Sequence, residues 1–223
     1  MQEEIRELDK EFIKEFIYVE PVIQIRKRRT SKEKGGLTPS FRKPGKQELN
    51  QQTEQEEYYF ESITPNEVIN DKNDYIIVGE SGIGKTSFLY WLQAQLLEGI
   101  YPGFTPVLLK LKDIAEFKSE DELISIIDTQ YGIKDKDLKG GGLLFLLDGL
   151  DQITKYDNIA ERLKDKDIFS ERNKIIFTSR PVGYDWIKDK LRNYGYLSIL
   201  RFDEKRIREY MGGYYNDIKE CYK

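Results

Sequence analysis

Gly79-Glu80-Ser81-Gly82-Ile83-Gly84-Lys85-Thr86 matches the pattern G-x-x-x-x-G-K-[ST] at every fixed position. Glycines at these places let the backbone curl so that successive amide N–H groups point inward at a polyphosphate. The positive end of a following helix adds to the attraction. Lys85 supplies a cation for the β- and γ-phosphates, and Thr86 supplies a hydroxyl for Mg²⁺. The nucleotide is expected to lie across the whole loop from Gly79 to Ser87, and Mg²⁺ to be held by Thr86.

A second group of residues follows an aliphatic run, in LLFLLDGLDQ. A carboxylate at the end of a buried strand is costly unless something pairs with it, and phosphate-bound Mg²⁺ is the natural partner for Asp148 beside such a loop. Asp151 stands where it can polarise an attacking water or cap a following helix. Gln152 can hydrogen-bond but cannot accept a proton. Further on, KIIFT leads into Ser179-Arg180-Pro181. An arginine just past a strand tip either stabilises charge on the γ-phosphate or makes a surface ion pair, and Pro181 fixes the direction of the chain after it. Lys85, Asp148, Asp151 and Arg180 are therefore the candidate catalytic residues.

Composition narrows the alternatives. The chain of 223 residues has no histidine and one cysteine, Cys221. Histidine bases, histidine-ligated metals, a disulfide framework and cysteine zinc sites are excluded. Thr154-Lys155-Tyr156-Asp157 resembles the T-K-x-D tetrapeptide that reads guanine, but it follows the Asp148 strand directly and has no D-x-x-G companion. Guanine specificity is not supported.

These residues need a scaffold, and the apolar pattern supplies one. Tyr75 to Gly79, Pro106 to Leu111, Leu143 to Asp148, Lys174 to Thr178 and Leu197 to Leu200 read as strands. Helices are expected from Lys85 to Gly99, after a capping box at Ser119 to Glu122, around Ile159 to Leu163, and after Asp203. A further short helix should open at Thr64-Pro65-Asn66-Glu67, a capping box with proline at the first helical position. Strands alternating with helices predict an α/β fold, with a central parallel five-stranded sheet covered on both faces as a three-layer sandwich.

An arm precedes this core. Apolar residues from Glu3 to Ile17 suit one helix face, and Tyr18 to Ile25 alternates like a strand. Residues 1–29 are read as this lead-in, 30–63 as a charged and partly disordered linker, and 64–223 as the nucleotide-binding domain. From Arg26 to Lys46 the only acid is Glu33, whereas the glutamates from Glu48 to Glu61 are not interrupted by a basic residue. The basic stretch is open to nucleic acid or anionic lipid, but a solvated linker accounts for it more simply. The net charge of −4 argues against a nucleic-acid surface over the whole molecule. No apolar run approaches the roughly 20 residues of a membrane span, and the first ten residues lack a signal-peptide pattern, so cytoplasmic residence is expected.

Taken in order, GESGIGKTS, LLFLLDGLDQI, KIIFTSRPVGYDW and LSILRFDEKRIREYM resemble the NACHT domain of STAND-type signalling NTPases, over about Thr64 to Tyr222. The D-G-x-D element after the aliphatic strand carries most of the likeness. FIYVEPVIQIRKR is similar to the lead-in of bacterial NACHT proteins. The resemblance implies a P-loop NTPase fold in which the Arg180 strand lies between those of Gly79 and Asp148. It implies that Asp148 serves Mg²⁺, that Asp151 assists hydrolysis and that Arg180 senses the γ-phosphate. It further implies ATP as the nucleotide, ATP-driven switching with self-association, and a role in innate-immune or antiphage signalling. The family usually reads D-G-x-D-E, and Gln152 in place of that glutamate implies slow turnover. NACHT proteins normally continue into helical and winged-helix domains, so the chain is expected to be a fragment, a truncated product or an isolated module. A module that binds ATP or ADP without turnover is the alternative.

Overall fold

In the computed structural model, β3 (Tyr75–Val78), β5 (Leu143–Asp148) and β6 (Lys174–Ser179) are buried on both faces, which is why they read as unbroken apolar runs. The structure describes residues 21–28, 57–114, 120–153 and 172–209. The helices expected over Glu3 to Ile17 and Ile159 to Leu163, the cap at Ser119, the T-K-x-D tetrapeptide and Cys221 lie outside the described residues. β4 (Thr105–Lys110) and β7 (Gly195–Ile199) complete a parallel set with the order β7-β3-β6-β5-β4. This is the expected five-stranded sheet, and β6, which leads into Arg180, lies between β3 and β5.

Two further strands extend the sheet. β1 (Ile23–Arg28) pairs antiparallel with β7 on one side and with β2 (Tyr58–Ile63) on the other, so the sheet has seven strands. The reading of 30–63 as a linker did not foresee β2. Its residues are mostly exposed, and Tyr58, Tyr59 and Phe60 run together without the apolar–polar alternation of a half-buried strand. Pairing with β1, from Ile23 opposite Ile63 to Arg28 opposite Tyr58, defines it, and the Lys27–Glu61 ion pair spans the two strands.

Alternate side chains of each strand feed two cores. On one face, Tyr75, Ile77, Leu144, Leu146 and Ile176 meet α1 (Pro65–Asn70) and α2 (Lys85–Leu97) through Val68, Ile69, Phe88, Leu89 and Leu92. On the other, Ile76, Val78, Phe145, Leu147 and Phe177 meet α3 (Glu120–Tyr131), α4 (Asp135–Gly140) and α5 (Pro181–Ile187) through Leu123, Ile127, Leu138 and Ile187. Three layers result.

Local signals set the helix ends. Thr64 caps α1 in a reciprocal box, with Glu67 N donating to Thr64 Oγ1 at 3.2 Å and Thr64 N donating to Glu67 Oε2 at 2.8 Å. α2 gives way at Gly99, where φ is +76°. Asp203 Oδ1 accepts from Arg206 N at 2.9 Å and opens a helix over 204–209. α4 and α5 are short and were not anticipated.

Candidate functional site

Parallel strands bring their C-terminal ends to one edge of the sheet, the edge where open α/β folds bind ligands. Register then decides which residues meet. Val78 lies beside Ser179, and Leu147 beside Phe177, so Asp148 comes level with Thr178 and the loop after β3 begins next to Arg180. Gly79 N donates to Ser179 O at 3.2 Å, tying the loop to β6.

The loop turns at Gly82 and Gly84, with φ of +78° and +99°, a region that side-chain-bearing residues avoid. Gly84 is the N-cap of α2, so Lys85 and Thr86 begin the helix. Lys85 Nζ donates to the carbonyls of Gly79 at 2.7 Å and Glu80 at 2.9 Å, arching back over the loop. Burial pushes Lys85 below its ordinary value, Asp151 and Asp148 pull it back up, and Arg180 works in the same direction as burial. All the candidate charged residues thus act on one ammonium group.

Asp148 receives hydroxyls on both carboxylate oxygens. Thr86 Oγ1 donates to Oδ2 at 2.9 Å, and Thr178 Oγ1 donates to Oδ1 at 2.6 Å. Thr178 Oγ1 also accepts from Gly149 N at 2.9 Å. Thr86 and Asp148, read from the sequence as residues for Mg²⁺, are thus in direct contact, and a buried third residue, Thr178, holds the carboxylate in place. Among the described residues no group of three or more His, Cys, Asp or Glu side chains is arranged to hold a metal. A hydroxyl and a carboxylate in contact are hard oxygen donors, and this pair suits Mg²⁺, which takes one or two protein ligands and fills its shell with phosphate oxygens and water.

Asp151 sits in the 3-10 turn Leu150–Gln152, reached through Gly149 at φ +83°. Its side chain is 11% exposed and both oxygens face Arg180: Oδ2 is 3.1 Å from Nε, and Oδ1 accepts from the backbone N at 3.0 Å. Arg180 is the N-cap of α5, with Pro181 at the next position. Arg180 thus makes an ion pair, with Asp151, at the same edge of the sheet as the loop. Gln152 is exposed, and its side chain lies against Gly149.

Two positioning features escaped the sequence. Thr178 is one. Gly183 is the other: a Cβ there would stand 2.6 Å from Asp151 Cβ and 2.8 Å from Ser179 Oγ, so only glycine lets α5 close on Asp151. The signal for Gly183 was a glycine within the first turn after Arg180-Pro181. Thr178 carried none, because an apolar strand tolerates threonine anywhere.

A family model of the NACHT domain matches residues 74–217, more than half of the chain. No curated protein matches. Among solved structures, PCH-2 of C. elegans is similar at 19% identity and a TM-score of 0.32, over 52% of this chain and 32% of that one. The chain thus spans about a third of the length of PCH-2. No helix among the described residues is long and apolar enough to cross a membrane.

Proposed function

The chain belongs to the NACHT domain family, a family of nucleotide-binding P-loop NTPases, and from that premise we propose that it is the Mg·ATP-binding module of a switch whose conformation follows the γ-phosphate. One observation carries this reading: the loop, the Thr86–Asp148 pair and the Asp151–Arg180 pair meet at a single edge of the sheet.

In this reading, amides of Gly79 to Ser87 cradle the phosphates, and Lys85 leaves the carbonyls of Gly79 and Glu80 for phosphate oxygens. Thr86 and Asp148 hold Mg²⁺. When bound, the cation offsets charge on the β- and γ-phosphate oxygens. Arg180 turns from Asp151 toward the γ-phosphate, which frees Asp151 to orient water. Hydrolysis is slow, because Gln152 supplies no base. Self-association, a cytoplasmic location and a role in innate-immune or antiphage defence belong to the same proposal and rest on the family resemblance.

Binding without turnover is the second reading. Arg180 engages both oxygens of Asp151, one through its side chain and one through its backbone N–H, and this favours the second reading. Phosphate release under single-turnover conditions separates the two: release that Lys85→Ala abolishes supports a hydrolase, and tight binding with no release supports the module. Asp148→Asn tests the cation's role, because it should weaken Mg·ATP far more than metal-free ATP.

A further inference from the structure

The N-terminal arm reaches the helix that begins at Arg180. Arg26 lies on β1, one residue beyond the pairing of Ile25 with Leu197, and it points to the sheet face opposite that of Ile23 and Ile25. Its guanidinium stands 4.0 Å from the ring centre of Tyr196 on β7 and 4.7 Å from that of Tyr58 on β2. Arg26 Nη2 also donates to Tyr184 Oη at 2.8 Å, and the tyrosine is on α5. The two tyrosines from β7 and α5 meet edge to face, with centroids 5.1 Å apart.

Tyr184 closes the first turn of α5, because its N–H donates to the carbonyl of Arg180 at 3.0 Å. Gly183, the preceding residue, leans on Asp151. α5 is therefore held from two sides, by Asp151 at the nucleotide edge and by Arg26 from the arm. A planar guanidinium suits this place, since it stacks on rings while its N–H groups donate in the ring plane.

We propose that Arg26 and Tyr184 are positioning residues for Arg180, so that the β1–β2 arm sets how well the site distinguishes ATP from ADP. The proposal rests on the reading of Arg180 as the γ-phosphate contact. Movement of the arm would shift α5, and with it the arginine at the helix start, without touching the loop that binds the β-phosphate. An element that couples two places in this way typically changes the linked affinity a few-fold.

The test is calorimetric titration of the full chain with Mg·ATP and Mg·ADP, read as the ratio of the two affinities. Tyr184→Phe keeps the ring and removes the acceptor, and Arg26→Met removes the donor and the charge. Each should lower the ratio about three- to tenfold while ADP affinity holds, and Arg26→Lys, which keeps the charge but not the planar stack, should lower it as well. In the Arg180→Ala background neither substitution should change the ratio further, because both act through Arg180. An unchanged ratio in Tyr184→Phe, with a lowered one in Arg180→Ala, overturns the tie to the arm alone. A loss that persists undiminished in the Arg180→Ala background also overturns it. An unchanged ratio in Arg180→Ala itself overturns the tie and the reading on which it rests.

Discussion

Thr178 on β6 donates its hydroxyl to Asp148 on β5 at 2.6 Å, and the same oxygen accepts from Gly149 N at 2.9 Å. A buried threonine thereby fixes the carboxylate and the start of the turn toward Asp151. Thr178→Val keeps the shape and orphans a buried N–H, so it should destabilise the chain by about 1–3 kcal/mol in urea unfolding. Thr178→Ser should recover most of the loss, and a valine variant as stable as the parent would count against the hydroxyl's role.

Gly183 allows α5 to approach Asp151 to within a distance no side chain permits. Gly183→Ala forces the helix start outward, and overpacking of this kind costs about 1–3 kcal/mol. Thermal unfolding should show a lowered midpoint. Mg·ATP affinity should fall more than Mg·ADP affinity, because Arg180 moves with the helix; equal losses would show that Arg180 does not face the γ-phosphate.

The parts of this arrangement legible in the sequence were the local ones. Gly79 to Thr86 declares itself because one short loop contains the whole cradle, and Leu143 to Asp148 because a buried parallel strand is apolar throughout. Thr64-Pro65-Asn66-Glu67 and Asp203 were legible as caps, since a cap is satisfied within three residues. The pairing of Thr178 with Asp148 was not, because it depends on the register of β5 against β6. β2 was hidden for another reason: Tyr58 to Ile63 is a mostly exposed edge strand, and its ladder partner β1 lies far from it in the chain. Arg26 read as one charge in a basic run, and only the fold brings Tyr58, Tyr184 and Tyr196 around it.

Acid should weaken the end of the sheet away from the site. Burial would raise Asp71, but hydrogen bonds from Tyr75, at 2.6 Å, and from Asn73 outweigh it and hold the carboxyl below its usual 3.8. Glu67, held by Thr64, lies below its usual 4.5. A depressed folded-state value means that the stabilisation is present above the ordinary value and is lost as pH falls through the lowered one. The urea midpoint should therefore decline below about pH 4, and Asp71→Asn should flatten part of that decline. An identical acid limb in the variant would show that Asp71 contributes nothing to it.

Gln152 stands where the family usually has glutamate, beside an Asp151 engaged by Arg180. Gln152→Glu should speed single-turnover phosphate release by a factor of about 10² to 10⁴, the range for a positioned acid or base. No acceleration would mean that position 152 does not face the attacking water.

The central claim is that the loop, β5 and β6 together form a Mg·nucleotide site, and Lys85 is its most direct probe. Removing its side chain takes away the ammonium facing the phosphates but no core packing. Calorimetric titration of the full chain with Mg·ATP should show one-to-one binding that Lys85→Ala abolishes, with the variant still unfolding cooperatively although it loses the two hydrogen bonds to Gly79 and Glu80. Equal Mg·ATP affinity in the parent and in Lys85→Ala, or no binding by the parent, would contradict the account.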